Sequence, residues 1–430
     1  MHAHWKTIVA LNVLLFTCCV SAGQSMSAPE TDGERVAGYA NTAQFGGPNS
    51  VGAQVKSDDK VKQSSYRFQG FTQAIQPYYD FKARTHVRRG LAFGADYNVL
   101  FQAANDSIGD DKAASGALRL FGNWTLTGRD STQQGSLVFK VENRHRLGTD
   151  IAPQALASEL GYAGLTATPF SDAGSILTNL YWHQSMVGDD VAFVGGIVDT
   201  TDYLDVYGLV SSWSDFLNLA FSTNPTIAAP NQGLGLAFRV SFADHYYFLA
   251  GIADANGDPS DPLAGTFFSD REYFKHAEFG WVSSRAEQFN DNIHLSLWQA
   301  DRREEADIAG GWGGSASFNH LINKRWLPFV RLGYSDGGGG ALMERSASTG
   351  FAYYRQRKSD VIGFGVSWGR PSIKTYGADL NDEYTTELYY RLQLFQHTTI
   401  TPNIQWLVDP ALNPDDNQLW VVGLRVRLNL

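Results

Sequence analysis

The side chains best placed to do chemistry in this sequence are charged and evenly spaced. Glu142 and Arg144 are two residues apart, Glu387 and Arg391 four apart, and Arg425 and Arg427 two apart, while Arg119 and Arg239 sit singly in similar surroundings. Even separations place side chains on one face of a strand. A guanidinium is a planar fork of donors and a carboxylate supplies acceptors, so such a face suits reversible polar contact with a passing solute. Reaction chemistry is poorly served. A nucleophile needs a base in reach; Ser283 and His294 are candidates by type, but no spacing joins them and Gly-x-Ser-x-Gly is absent. The ten histidines are scattered, without His-Glu-x-x-His. Both cysteines, Cys18 and Cys19, lie in an N-terminal apolar run, so thiol chemistry and Cys-ligated metal are not expected beyond it. No enzyme activity, metal or cofactor is expected.

The elements that must carry these charges are strands. Period-two alternation marks Leu91, Phe93, Ala95, Tyr97, Val99 and Phe101; then Leu118, Leu120, Gly122, Trp124 and Leu126; then Leu137, Phe139 and Val141 against Lys140, Glu142 and Arg144. It returns at Leu234, Leu236, Phe238, Val240 and Phe242 against Arg239, and at Leu388, Tyr390, Leu392 and Leu394 against Glu387, Arg391 and Gln393. It closes the chain with Trp420, Val422, Leu424, Val426 and Leu428 against Arg425 and Arg427. Composition agrees: 43% of residues are hydrophobic and 13% aromatic, with 43 Gly and few Met or Pro. Tight connections (243–245, 322–325, 396–398) alternate with long ones (254–275, 409–418), as in an up-and-down meander of about sixteen strands.

Upstream, His2, His4 and Lys6 precede the apolar run at residues 7–20, followed by Val20-Ser21-Ala22; residues 1–22 read as a secretory signal peptide. Residues 23–65 are polar and aperiodic, and are expected to form a flexible leader. Residues 66–90 mix aromatics with a basic run, Lys82, Arg84, His86, Arg88 and Arg89, and read as a short segment forming a plug or helix ended by Gly90. Residues 91–430 form the β-structure. A net charge of −10 disfavours nucleic acid as a partner.

A soluble sandwich also alternates. Two features favour an all-β transmembrane antiparallel barrel with short periplasmic turns and long extracellular loops. Large charged groups oppose a heavy apolar face on many strands, which suits lipid outside and water inside. Trp124, Trp182, Trp281, Trp326, Trp406 and Trp420 lie near strand ends, where interfacial girdles sit.

The C-terminal third resembles the carbohydrate-selective porins of Gram-negative outer membranes, the OprB family. The pieces that carry this are Glu387-Leu-Tyr-Tyr, Thr401-Pro402-Asn403-Ile404-Gln405, Asp409-Pro410, Asn413, Asp416-Asn417 and Gly423-Leu424-Arg425. The stretch FVGGIVDTTDYLDVYGLVSSWSDFLNLAF and the pair Glu142 and Arg144 are similar to the same family. The resemblance implies a sixteen-stranded barrel that passes sugars such as glucose, with a charged constriction. Independently, strand parity and side-chain type lead us to expect Arg119, Glu142, Arg144, Arg239, Glu387, Arg391, Arg425 and Arg427 along the channel, a subset of them forming the constriction. The expected partners are small sugars, outer-membrane lipid and lipopolysaccharide, and the barrel-assembly machinery at the C-terminal strand; a homotrimer stays open. The rival readings are a general or ion-selective porin, an outer-membrane enzyme, and a secreted soluble polysaccharide-binding β-protein. A rival role for each charged residue is an ion pair bracing the wall.

Overall fold

Alternating strands that present leucine on one face and charge on the other cannot leave both faces in one solvent, and here the sheet closes on itself. The computed structural model describes residues 45–66, 69–187, 190–262, 265–355 and 359–430. The expected signal peptide and residues 23–44 lie outside them. Sixteen strands form one closed antiparallel barrel in which each pairs with its sequence neighbours and the last pairs with the first. They are β1 Leu91–Ala104, β2 Lys112–Thr127, β3 Gly135–Arg146, β4 Gly174–Met186, β5 Val191–Val198, β6 Gly233–Phe242, β7 Tyr246–Asp254 and β8 Tyr273–Val282. The second half comprises β9 Asp291–Ala300, β10 Gly311–His320, β11 Trp326–Ser335, β12 Met343–Tyr354, β13 Val361–Pro371, β14 Glu383–Phe395, β15 Thr398–Val408 and β16 Gln418–Asn429. Closure runs in register from Asp96↔Asn429 to Ala104↔Val421.

Side-chain parity follows the alternation. On β16, Trp420, Val422, Leu424 and Leu428 are exposed outward, while Leu419, Val421 and Arg425 are buried within. The same division holds on β9, where Ile293, Leu295 and Leu297 face out and Asn292, His294 and Ser296 face in. An outer wall of leucine and phenylalanine is a wall for hydrocarbon, and a closed sheet leaves no edge to be satisfied there. Outward tryptophans stand at both rims. Trp124 and Trp326 lie toward the end with short turns, and Trp312 and Trp420 toward the end with long loops. Trp406 stacks on Trp420 with centroids 5.3 Å apart.

One expectation is corrected. Residues 23–65 read as a loose polar leader, yet within that span Phe45 to Asp59 sits inside the barrel. Helix α1 (Val51–Asp59) buries Val51 and Val55 against Phe121 and Val138 of β2 and β3. Phe45 packs against Tyr203, centroids 5.2 Å apart. The polar composition misled because a barrel lumen is itself polar: a helix needs only two or three apolar side chains to seat there. Helix α2 (Gln69–Arg89) follows at the short-turn rim, and Gly90 leaves it at φ 71°, a left-handed geometry that glycine adopts without steric cost.

Candidate functional site: the lumen cavity

Two loops from the long-loop end fold down into the barrel. The first, residues 147–173, carries helix α3 (Pro153–Glu159) and buries Leu156, Leu160 and Tyr162 against Leu407, Leu419 and Val421. The second, residues 199–232, buries Tyr207, Leu209, Phe216 and Phe221 against Leu327, Phe329 and Tyr389. Apolar anchors alone would leave the backbone of these loops unpaired in the lumen, at a cost per group of the order of a lost hydrogen bond. The inward charges of the wall take up those backbone groups.

Glu387 is completely buried and accepts from the backbone N–H of Leu217 at 2.8 Å and of Asn218 at 2.9 Å. Arg425 donates to the carbonyls of Ser212 at 2.7 Å and Asp215 at 3.0 Å. Arg391 donates to Asp215 Oδ1 at 3.0 Å. Arg331, which the pattern of the sequence did not single out, pairs with Asp205 and donates to the carbonyls of Phe221 at 3.0 Å and Thr223 at 2.9 Å. Between the loops, Leu219 N–H donates to the Leu165 carbonyl at 2.9 Å, and from the wall Gln405 Nε2 of β15 donates to the Thr166 carbonyl at 2.8 Å.

The loops leave between them and the wall a cavity of about 720 Å³, lined in part by both loops. Its charged lining comes from Lys140, Glu142 and Arg144 of β3, from Asp199, Asp202 and Asp205 of the second loop, and from Asp258 and Arg303 of the two long loops that follow β7 and β9. Arg144 Nε donates to Glu142 Oε2 at 2.8 Å. Lys140 Nζ and Asn179 Nδ2 both reach Asp202 Oδ2, at 3.2 and 3.1 Å. Asp199 Oδ1 accepts from Thr201 N–H at 3.0 Å, and its Oδ2 accepts from Gln232 at 2.6 Å. A register shift between Lys140 and Val141 lets β4 bury the consecutive Thr178 and Asn179, which brings Asn179 onto Asp202. No alternation signal could have shown this. Burial pushes the Asp202 carboxyl up to about 7, against the pull of Lys140 and with Asp199 pushing the same way.

The floor of the cavity is the N-terminal segment. Asn49 lines it, and Gly47 N–H donates to the Asp202 carbonyl. The approach is so close that a Cβ on Gly47 would meet Val206 Cγ1 at 2.7 Å. Below, Arg427 reaches Asp58 of α1 at 2.7 Å and Asp96 of β1 at 2.7 Å. Lys82 of α2 reaches Asp59 at 2.6 Å.

Of the eight residues expected to line the channel, Glu142 and Arg144 line this cavity. The other six do not. Glu387, Arg391 and Arg425 hold the second loop. Arg119 is completely buried on Asp96, with Nε 2.7 Å from Oδ1 and its guanidinium 4.0 Å above the Trp213 ring. Arg427 joins the same Asp96. Arg239 lies 4.1 Å above the Tyr247 ring, away from the cavity. Parity put all eight inside the barrel; it could not tell which would be enclosed by loops. Sequence reasoning missed Lys140 and Asp202. Lys140 stood in the same alternation as Glu142, whereas Asp202 lies in an aperiodic stretch. Among the described residues no cluster of His, Cys, Asp and Glu is arranged to hold a metal ion.

Comparison with known proteins agrees with this geometry. Residues 281–430 match the model of the carbohydrate-selective porin, OprB family. The high-pH structure of Pseudomonas putida OprB superposes with a TM-score of 0.65 at 14% identity, covering 82% of this chain and 97% of that one. A mutant of the Rhodopseudomonas blastica porin is aligned at a TM-score of 0.48 and 13% identity, over 79% of this chain and 100% of that one. No curated protein matches the chain.

Proposed function

We propose, from the premise that a barrel whose last strands match the carbohydrate-selective porins works as they do, that this protein is an outer-membrane channel for passive diffusion of small carbohydrates. The observation that carries this is the lumen cavity, lined among others by Lys140, Glu142, Arg144, Asp199 and Asp202, inside a wall whose outer face is apolar. These groups supply donors and acceptors side by side. A sugar hydroxyl both donates and accepts, so it can replace one partner of the Arg144–Glu142 or Lys140–Asp202 pair without leaving the other bare. Each exchange is close to neutral, which is what transit requires: binding good enough to enter and weak enough to leave. The lining carries both signs of charge, which suits neutral polyols over ions of one sign.

Liposome swelling with the reconstituted mature protein tests the reading. Glucose is expected to enter faster than a neutral non-sugar solute of equal size, and Glu142→Gln with Arg144→Ala is expected to narrow that gap. Equal rates for both solutes in the unaltered protein would leave a general porin, the second reading that the mixed charge of the lining allows.

The chain would reach the Gram-negative outer membrane through its N-terminal signal, and its short-turn end would then face the periplasm. The partners there would be phospholipid on the wall, lipopolysaccharide at the long-loop rim, and the assembly machinery at β16. Trimer formation is a separate question that cross-linking in detergent would answer.

A further inference from the structure

Helix α2 lies across the short-turn rim rather than wholly beneath it. Its inner face closes on the lumen side: Tyr79 stacks on His397 with centroids 5.0 Å apart, and Lys82 pairs with Asp59. Its other face overhangs the outer wall. Tyr78 and Phe81 pack edge-on against Phe93, an outward side chain of β1, with centroids 6.3 and 6.2 Å away. The end of the helix is fastened to the girdle. Outward Trp124 donates from Nε1 to the Arg89 carbonyl at 3.0 Å, and the Arg129 guanidinium donates to the Arg88 and Arg89 carbonyls.

That fastening has a consequence for the side chains. The terminal carbonyls are satisfied by Arg129 and Trp124, so the guanidiniums of Arg84, Arg88 and Arg89 are not needed there. All three are exposed, and among the described residues none has a carboxylate within 4.0 Å. Between the helix and the wall lies a cleft of about 590 Å³, lined by these three arginines and by Phe93, Leu120 and Phe139. The size is that of a ligand site. Its two ends differ in chemistry: aromatic and aliphatic on the barrel wall, cationic along the helix. Water is a poor occupant for the first and hydrocarbon for the second.

We propose that this cleft is a binding site for an anionic phospholipid, its acyl chain on Phe93, Leu120 and Phe139 and its phosphate on Arg84, Arg88 and Arg89. Charge complementarity selects the occupant. An arginine fork pairs with phosphate oxygens in a bidentate manner, and the apolar half continues the wall that already faces lipid. The rim tryptophan sets the depth, since indoles settle at the headgroup level. The site rests on the barrel being embedded in lipid and is independent of which solute passes.

Native mass spectrometry of the detergent-solubilised mature protein, titrated with dioleoylphosphatidylglycerol or dioleoylphosphatidylcholine, tests it. The first lipid is expected to bind roughly tenfold tighter than the second. R84Q/R88Q/R89Q should bring the two together while the folded, heat-modifiable band is retained. Excess inorganic phosphate should not displace the bound lipid. Equal affinity of the unaltered protein for both lipids overturns the proposal without needing any variant. So does displacement by phosphate alone, or a preference that survives the triple substitution. Glucose flux measured in phosphatidylcholine liposomes reports on the transport reading separately, since loss of the lipid site leaves the lumen untouched.

Discussion

The Arg427 guanidinium lies 2.7 Å from the Asp58 carboxylate, so the last strand of the barrel grips the helix that fills its mouth. The two residues are 369 apart in the chain. The grip lies at the short-turn side of the lumen, where α1 sits inside the barrel.

Removing that helix should therefore widen the channel. Deleting residues 45–60 is expected to raise single-channel conductance in planar bilayers severalfold, and Asp58→Asn to raise it slightly or add flicker. In Asp58→Asn, Arg427 keeps Asp96, so the stability cost should stay near the roughly 1–3 kcal/mol of one charge-assisted bond. A deletion variant that conducts like the parent would show that solute bypasses α1.

Glu387 and Glu142 should separate structure from transport. Glu387→Ala strips two backbone N–H groups of their acceptor and is expected to cost about 1–3 kcal/mol for each unsatisfied donor. It should also free the second loop, which would be read as added current noise and a lower melting temperature in detergent. Glu142→Gln removes one negative charge from the lining but keeps an oxygen that accepts from Arg144; it should cost less stability than Glu387→Ala and change sugar flux instead. The reverse pattern would exchange their roles.

Asp202 is expected to make conduction pH-dependent near neutrality. Its carboxyl is raised to about 7 by burial, so it loses its proton as pH rises through that value. The cavity then gains a negative charge, and the cation-to-anion permeability ratio is expected to rise between about pH 6 and 8. Asp202→Asn should flatten that rise. The linkage has the opposite sense: folding favours the protonated acid, so its stabilising contribution is complete below the ordinary carboxylate range and is lost as pH climbs toward 7. A permeability ratio flat across this window would contradict the assignment.

The outer wall is testable with one residue. Leu424 faces out from the middle of β16, and Leu424→Arg is expected to cost about 2–4 kcal/mol in lipid vesicles. Urea unfolding of the reconstituted barrel reads this directly. A cost near zero would mean that the leucine side is not in hydrocarbon.

Much of the barrel was legible in the order of residues. Trp420, Val422, Leu424 and Leu428 alternate with Val421, Arg425 and Arg427, and parity alone places the two sets on opposite faces of the sheet. The same rule holds on β15, where Thr401, Asn403 and Gln405 are buried inside. The site was legible only in part. Glu142 and Arg144 reach the cavity, but Arg425 ends on the carbonyl of Ser212, which is 213 residues away. The loop that holds Ser212 has no period, and the expected leader hid α1 for the same reason.

The sequence by itself determined which side chains share a face on each strand, because a pleated strand presents successive side chains to opposite sides whatever its partners are, while closure of the sheet came with the pairing of the last strand to the first. Only the tertiary structure decided which inward charges meet solute and which are bound up by loops and helix. Alternation specifies a direction, whereas a hydrogen bond needs a partner, and here those partners come from aperiodic segments brought in from hundreds of residues away.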